Sequence, residues 1–265
     1  MLLIKAQPYH GYHPVVQSSN GTLKLLTLAL LKLNPGETYQ GDTEGNEQVF
    51  VLLQGQFDLS VGTHTFGGQR TDVFSDRATA VYLPPHATYE VRNNGSNTME
   101  AAIAGTPAEG AFAPFLVKPG EVQVRRVGQG NWARTVQDIV VGNVTDSVSR
   151  IVVGETINDA GNWSGYPPHK HDDYIPGVEA DMEELYHFRV APPQGFATQL
   201  HYRKDPAESS AYVVHDGDTF MIPHGYHPVV AAAGYQLYYL WMMAGEQDRV
   251  LMPHEDPDHV WVKQV

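Results

Sequence analysis

Hydrophobic residues fall in short runs along the chain, and helix signals are scarce. The runs are rich in Val, Ile, Leu, Tyr and Phe, and Gly, Pro, Asn and Asp separate them. Strand-length runs with turn residues at intervals of about 8–12 positions predict an all-β sandwich or barrel. Only 179–184 has helical character, and it leads directly into a strand-like run. The predicted strands are 23–33, 48–53, 56–61, 79–83, 88–92, 150–155, 185–190, 198–203, 211–215, 219–222 and 236–243.

A weak internal repeat indicates two copies of one β unit. Glu47 and Glu184 begin similar apolar runs about 137 positions apart, and Pro84 and Pro223 lie about 139 apart. With a join near 118–148, the repeat predicts two domains, 1–130 and 131–265. The hexamer Gly-Tyr-His-Pro-Val-Val, which starts at Gly11 and again at Gly225, does not fit this offset. We interpret it as a coincidence or a reused turn.

Composition and charge exclude several classes of function. The 265 residues carry a net charge of −13, which would repel nucleic acid and anionic membranes. The chain has no cysteine, so disulfides, thiolate metal sites and cysteine nucleophiles are excluded. It contains no apolar run of transmembrane length and no secretory h-region, which predicts a cytoplasmic protein.

Histidines in the second half form a candidate metal site. Side chains alternate faces along a strand, so His169 and His171 point the same way. Glu184 from the next strand and His227 from a later one would complete the ligand set. His224 competes with His227, which we favour because the chain has re-entered a strand two residues past the Pro-x-Gly turn. Imidazoles and one carboxylate suit a single divalent ion, Zn, Mn, Fe or Ni.

This pattern resembles the cupin signature. The His-x-His, the later Glu and the segment 217–225, which reads Gly-x5-Pro-x-Gly, match its elements. The resemblance implies an all-β fold of two tandem cupin-type barrels, which are double-stranded β-helix or jelly-roll units. In the first half Glu47 and the Pro84-Pro85 pair are present, but no His-x-His precedes them. We therefore predict that the first half holds no metal.

A closer resemblance is to the 5-deoxy-glucuronate isomerase family of myo-inositol catabolism. The matching segments are 47–55, 128–131 with Arg134, 161–172, 183–189, 192–197, 225–229, 234–240 and 256–259. Within them the chain departs from the family at Leu185 and His187. The resemblance implies conversion of 5-deoxy-glucuronate to 5-dehydro-2-deoxygluconate and metal positions at His169, His171, Glu184 and His227. A bound divalent ion would act as a Lewis acid on the enediolate, so no organic cofactor is expected.

Catalytic and substrate-binding residues are harder to choose from sequence. Tyr186 shares the face of Glu184 and is a candidate proton donor or relay; Lys170 is the second catalytic candidate, while Glu183 points away on a regular strand. The substrate-binding candidates are Arg189, Arg203, Tyr202 and Gln199. The carboxylate of a uronate is expected to bind a cationic side chain. The candidates are Lys170, Arg189, Arg203 and Arg134. The proton-transfer base is not identified.

Three functions compete for this sequence. The first is the metal-dependent isomerase, acting on this or a related uronate. The second is a cupin dioxygenase with Fe(II), which uses a similar ligand set. The third, a sugar-binding cupin without catalysis, fits less well because binding alone does not demand a Lewis acid. The expected partner is a small sugar acid, with no nucleic acid and no membrane, and the exposed strand edges are compatible with a homodimer.

Overall fold

The computed structural model describes residues 1–110, 112–247 and 249–264 and confirms the predicted all-β class. In chain order the strands are β1 (Leu3–Ile4), β2 (Gly11–Val16), β3 (Thr27–Leu33), β4 (Thr38–Asp42), β5 (Asn46–Val61), β6 (His64–Arg70), β7 (Ala80–Leu83), β8 (Thr88–Arg92), β9 (Met99–Pro107), β10 (Phe115–Val117), β11 (Gln123–Val127), β12 (Arg134–Val140), β13 (Val152–Asn158), β14 (Trp163–Ser164), β15 (His169–Lys170), β16 (Glu183–Ala191), β17 (Ala197–His201), β18 (Ser210–Val214), β19 (Thr219–Ile222), β20 (Val229–Ala231), β21 (Gln236–Ala244) and β22 (His254–Glu255). The helical segments in these residues are short 3-10 turns at Ser18–Asn20, Gly130–Trp132, Pro206–Glu208 and Val260–Gln264. Across the same residues, we find no helix with the length and apolar character needed to cross a membrane.

The helical character expected for 179–184 is wrong. Glu183 and Glu184 begin β16, where they pair with Ala244 and Met243 of β21. A pairing between distant segments thus overrides the local helix preference of these acidic residues. The two predicted strands 48–53 and 56–61 also merge into one, β5. Gly55 makes this continuity possible, because its φ of 94° lies in a region that other residues rarely adopt.

Two compact units make up the chain, and their segments alternate along the sequence. One unit consists of 8–123 and 138–153, and the other of 1–7, 124–137 and 154–265. The unit of 8–123 and 138–153 is called the N-terminal unit below, and the other the C-terminal unit. Our division into 1–130 and 131–265 differs by the exchange of short segments, and it stays a prediction.

The N-terminal unit contains a nine-stranded sheet system centred on β5. Its main order is β10-β7-β5-β9-β3-β2, and β4, β6 and β8 extend it around the end of β5. In the second half of β5, Phe57, Leu59 and Val61 are buried, while Asp58 and Ser60 between them are exposed. This period of two is the pattern of a strand with one face on the core and one in water.

The C-terminal unit builds its sheets around β16. The larger sheet has the order β1-β19-β16-β21-β13-β12-β11, a second has β14-β20-β17-β18, and β15 pairs with β22. In β16, Leu185, Tyr186, His187 and Phe188 are all buried, so both faces of this strand are covered. β16 therefore carries Glu184 and Tyr186 into the interior of the unit.

Candidate metal centre

Three predicted ligands converge in the C-terminal unit. The Nε2 atoms of His171 and His227 each lie 3.1 Å from Oε2 of Glu184. One ligand atom from each of the three side chains fits within 4.8 Å of the others, and all three residues are buried. Glu184 comes from β16, His171 follows β15, and His227 lies in the turn between β19 and β20.

His169, the fourth predicted ligand, lies beside this group. Its ring centroid is 5.0 Å from that of His227 and 6.4 Å from that of His171. It lines the same cavity as His171 and Glu184, although it falls outside the 4.8 Å group. His224, the alternative to His227, instead lies beside His201, with 5.2 Å between the ring centroids.

Hydrogen bonds fix the tautomer of each site histidine. The Nδ1 atoms of His171, His227 and His169 lie 2.6 Å from Met182 O, 2.8 Å from Gly225 O and 3.3 Å from Pro167 O. A carbonyl oxygen can only accept, so each Nδ1 must donate. In the neutral imidazoles the Nε2 lone pairs are therefore available, as in histidines that bind metals.

This arrangement fits a divalent cation. In the neutral tautomer, Nε2 of His171 and of His227 would present a lone pair to the Glu184 carboxylate, which is itself an acceptor. Nε2 of His227 is buried and makes no hydrogen bond to any described residue. Two nitrogen lone pairs and a carboxylate oxygen at this spacing would be satisfied together by a cation that prefers nitrogen and oxygen ligands.

The pKa values follow from burial and from these contacts. Burial raises the pKa of Glu184, but the neighbouring imidazoles of His171 and His227 outweigh it and lower the pKa to about 2. Burial and the two other histidines lower the pKa of His169 to about 3. Burial opposes protonation of His171, whose pKa is nevertheless raised by Glu184. Glu184 is thus ionised and His169 neutral at neutral pH, the forms that bind metals.

The cavity beside these ligands has a volume of about 320 Å³ and belongs to the C-terminal unit. Its further lining residues are Arg125, Val127, Arg134, Val136, Thr156, Gly165, Met182, Tyr186, Tyr239, Trp241, Met243, Leu251, Met252 and Pro253. Tyr186, the predicted catalytic residue, packs on Tyr239 with 4.4 Å between ring centroids. The Tyr239 hydroxyl lies 2.5 Å from Oγ of Ser164.

Sequence reasoning missed part of this cavity. Alternation along a strand does not by itself decide whether Tyr238 or Tyr239 faces the cavity, but Tyr239 pairs with Phe188 and so shares the face of Glu184. Tyr238 points to the other side and donates to Glu155 at 2.7 Å. The register of β16 against β21 would have identified Tyr239, and no local signal indicated the wall formed by 251–253.

The C-terminal segment holds the ligand strand in place. β22 pairs with β15, with His169 opposite Glu255, and the amide of Asp256 donates to Pro168 O at 2.8 Å. The Tyr202 hydroxyl donates to Asp256 at 2.7 Å. Tyr202, a predicted substrate-binding residue, is thus not among the cavity-lining residues and instead supports the segment that carries His169.

Gln199 also supports a ligand rather than lining the cavity. Its Nε2 donates to His227 O at 2.8 Å and to Pro228 O at 3.2 Å, and the residue is fully buried. These bonds fix the backbone of the turn that presents His227. The predicted contact between Gln199 and substrate has no support in this geometry.

The second catalytic candidate, Lys170, lies in a cage of carboxylates. Its Nζ is 2.5 Å from Asp172, 2.7 Å from Asp173 and 2.8 Å from Glu179. Burial works against the ammonium, but these carboxylates raise the Lys170 pKa. The side chain points away from the histidines, as strand alternation requires, and does not line the cavity. Asp172 also accepts from the amide of Gly225 at 2.7 Å, so this cage ties the β15 loop to the His227 turn.

The glutamate of the N-terminal unit that corresponds to Glu184 has a different environment. The Glu47 carboxylate accepts from the Tyr82 hydroxyl at 2.8 Å and from the amides of Ser149, Arg150 and Ile151 at 2.7–2.8 Å. Among the described residues of this unit, no group of histidines and carboxylates converges as in the C-terminal unit. Glu47 therefore anchors the backbone at 149–151.

Comparison with known proteins supports the fold and the family. A sequence profile described as the KduI/IolB family matches residues 2–262. The 5-deoxy-glucuronate isomerase of Geobacillus kaustophilus is 37% identical over 236 residues, which is 88% of this chain and 83% of that protein. An IolB-like protein from Salmonella typhimurium superposes with a TM-score of 0.93 at 30% identity and covers 99% of both chains. Oxalate decarboxylase from Lactobacillus farciminis superposes with a TM-score of 0.68 at 9% identity, covering 96% of this chain and 88% of that one, and so shares the bicupin fold alone.

Proposed function

Since the chain belongs to the KduI/IolB family, we propose that it converts 5-deoxy-glucuronate to 5-dehydro-2-deoxygluconate. The chain is an isomerase, and this reaction moves a proton between adjacent carbons of a sugar acid. The observation that carries the proposal is the convergence of His171, Glu184 and His227 beside a partly open cavity that His171 and Glu184 line. The sugar acid is the partner we propose; a homodimer and a cytoplasmic location stay predictions.

His169, His171, Glu184 and His227 would hold the cation. Imidazoles and a carboxylate accept Zn, Mn, Fe or Ni, and we propose one such ion and no organic cofactor. When bound, a divalent cation supplies Lewis-acid stabilisation of the negative charge that develops on the substrate oxygens. The hydrogen bonds from each Nδ1 to a carbonyl hold the three imidazoles ready for that role.

Tyr186 is the cavity residue best placed to hold a proton near the reacting carbons. Burial and the neighbouring Glu184 raise its pKa well above the usual value, so its hydroxyl stays protonated at neutral pH. Tyr239, whose pKa is also raised by burial, packs on Tyr186 and contacts Ser164. We propose that the Tyr186 hydroxyl donates a hydrogen bond to a substrate oxygen and keeps its proton, and that packing against Tyr239 fixes its ring.

Apolar side chains form part of the cavity lining. Trp241 and Met243 of β21 and the segment 251–253 line the cavity around the polar groups. Apolar surroundings strengthen the interaction of fixed charges with an enediolate.

The test is an NMR assay of 5-deoxy-glucuronate under anaerobic conditions. We expect native protein to form the ketone without oxygen, chelated protein to be inactive, and a restored divalent ion to recover turnover. His171→Ala should lose turnover by about 100-fold or more, since one ligand of the group is removed, while His10→Ala, at an exposed histidine, serves as the matched control.

Two results would contradict the proposal. Undiminished turnover after stringent metal removal would show that the cluster is not a metal site. Consumption of oxygen in place of anaerobic isomerisation would favour the Fe(II) dioxygenase, which shares this ligand set. Circular dichroism of His171→Ala separates loss of the ligand from loss of the fold.

A further inference from the structure

Four cationic side chains compete to bind a substrate carboxylate, and three of them already have carboxylate partners. Lys170 is surrounded by three acidic side chains at 2.5–2.8 Å. Arg189 lies 3.6 Å from Asp216, and Arg203 lies 3.3 Å from Glu208. None of these three lines the cavity next to the histidines.

Arg134 differs from these three residues because it lines the cavity and has no carboxylate partner among the described residues. It lines the cavity together with His169, His171 and Glu184. Its Nη1 donates to Tyr166 O at 2.9 Å and to Trp132 O at 3.3 Å, which fixes the guanidinium. Within residues 1–110, 112–247 and 249–264, it has no carboxylate partner, and its Nη2 and Nε make no hydrogen bond.

The groups near Arg134 do not neutralise its charge. Tyr186 and Tyr239 are its electrostatic neighbours, but a phenol is uncharged at neutral pH. Arg125, another electrostatic neighbour, is itself cationic and lines the cavity too. A partly buried guanidinium without a counter-charge is costly, and burial indeed lowers the Arg134 pKa.

From this geometry we infer that Arg134 binds the carboxylate of the substrate and thereby orients it in the cavity. The inference rests on the proposed function for the identity of the sugar acid. A carboxylate matches the unused face of a guanidinium, on which it can accept two hydrogen bonds. Because Arg134 and the histidine cluster line one cavity, an acid held by Arg134 extends its other end, the aldehyde, toward the cluster. Arg134 is thus the residue that selects a uronate over a neutral sugar.

Kinetics with a charged and an uncharged substrate test this role. Arg134→Gln should raise KM for 5-deoxy-glucuronate by roughly 30-fold or more, the scale of a lost partly buried charge pair. Turnover of 5-deoxy-glucuronamide, which lacks the negative charge, should change by less than about 3-fold. Arg134→Lys should recover part of the loss, because an ammonium keeps the charge but not the paired donors. Arg92→Gln is the matched control, since Arg92 is exposed on β8 of the N-terminal unit.

An equal loss of activity toward acid and amide would overturn the inference, since it would indicate a structural role. An unchanged KM for the acid in Arg134→Gln would overturn it as well.

A binding measurement separates this inference from the proposed function. Isothermal titration calorimetry of chelated protein with D-gluconate and with sorbitol compares one carboxylate against one hydroxymethyl group, without any turnover. We expect wild type to prefer gluconate and Arg134→Gln to lose that preference. Equal affinity for the two compounds in wild type, including no binding of either, would overturn the carboxylate site. If the native protein fails to isomerise 5-deoxy-glucuronate, the proposed function is wrong, and calorimetry still decides the role of Arg134.

Discussion

At the residue scale, the hydrogen bond made by Nδ1 distinguishes the histidines of the site from other buried histidines. His171 and His227 each donate from Nδ1 to a backbone carbonyl and direct Nε2 toward Glu184. His187 is also fully buried, but its Nδ1 lies 3.1 Å from the Thr219 hydroxyl and its Nε2 makes no hydrogen bond among the described residues. It occupies the opposite face of β16 from Glu184, so burial alone does not make a histidine a ligand.

His187 should make the C-terminal unit sensitive to acid. Burial, and secondarily Arg189, lower its pKa to about 3, whereas the unfolded chain takes up this proton near the usual value of about 6.5. Below pH 6.5 the unfolded state therefore binds one more proton, and the free energy of unfolding falls by about 1.4 kcal/mol per pH unit until about pH 3. The amide in His187→Asn can still bond to Thr219 but does not titrate. Between pH 7 and pH 5 the free energy of unfolding of this variant should therefore fall by about 2 kcal/mol less than that of wild type.

Urea unfolding of metal-free protein measures this effect. All four tryptophans, Trp132, Trp163, Trp241 and Trp261, belong to the C-terminal unit, so their fluorescence reports its unfolding. His10→Asn, in the N-terminal unit and exposed, should leave the dependence on pH unchanged. If the free energy of unfolding varies with pH in the same way in His187→Asn and in wild type, His187 is protonated in the folded state.

At the element scale, the period of two along strands and the glycine and proline turns were enough to predict the all-β class and the face shared by Glu184 and Tyr186. The hexamer Gly-Tyr-His-Pro-Val-Val shows where local sequence fails. From Gly11 it forms β2, with His13 half-buried, whereas from Gly225 it forms a turn that buries His227. Bonds from distant segments, such as Gln199 to His227 O and Gly225 to Asp172, make the difference. These contacts, like the register that selects Tyr239, depend on pairing between strands far apart in sequence.

Glu47 of β5 and Glu184 of β16 occupy corresponding positions, but substitution by Gln should have a different effect at each. Glu184→Gln removes the negative charge between two imidazoles, so bound metal should fall well below one equivalent. Glu47→Gln should leave metal content unchanged but destabilise the N-terminal unit by about 2–4 kcal/mol. The reason is that one amide –NH2 would face backbone N–H donors that now bond to a carboxylate.

Mass spectrometry measures the metal content of each variant. Far-UV circular dichroism during urea unfolding measures its stability. Glu90→Gln, at an exposed position of β8, controls for the change in charge within the N-terminal unit. Metal loss in Glu47→Gln comparable to that in Glu184→Gln would contradict the separate roles of the two glutamates.

At the scale of the whole molecule, two units of one architecture carry different tasks. The N-terminal unit uses its buried glutamate to hold the backbone at 149–151, and the C-terminal unit directs its own toward two histidines. The net charge of −13 is unfavourable for an anionic substrate at long range, so attraction of a sugar acid must be local. Arg125 and Arg134 in the cavity provide that local positive charge.

Metal binding should therefore stabilise one unit and leave the other unchanged. A ligand that binds only the folded state adds about 4 kcal/mol when its free concentration is a thousand times Kd. Chelation should lower the urea midpoint detected by tryptophan fluorescence, which reports on the C-terminal unit. It should also speed amide exchange at 183–186, next to Glu184, while the amides of 149–151, held by Glu47, exchange at the same rate as before. Glu184→Gln, which lacks the metal from the start, should show no further change on chelation. Faster exchange at both places would show that the cation stabilises the chain as one cooperative body, and an unchanged rate at both would show that the histidine cluster does not bind it.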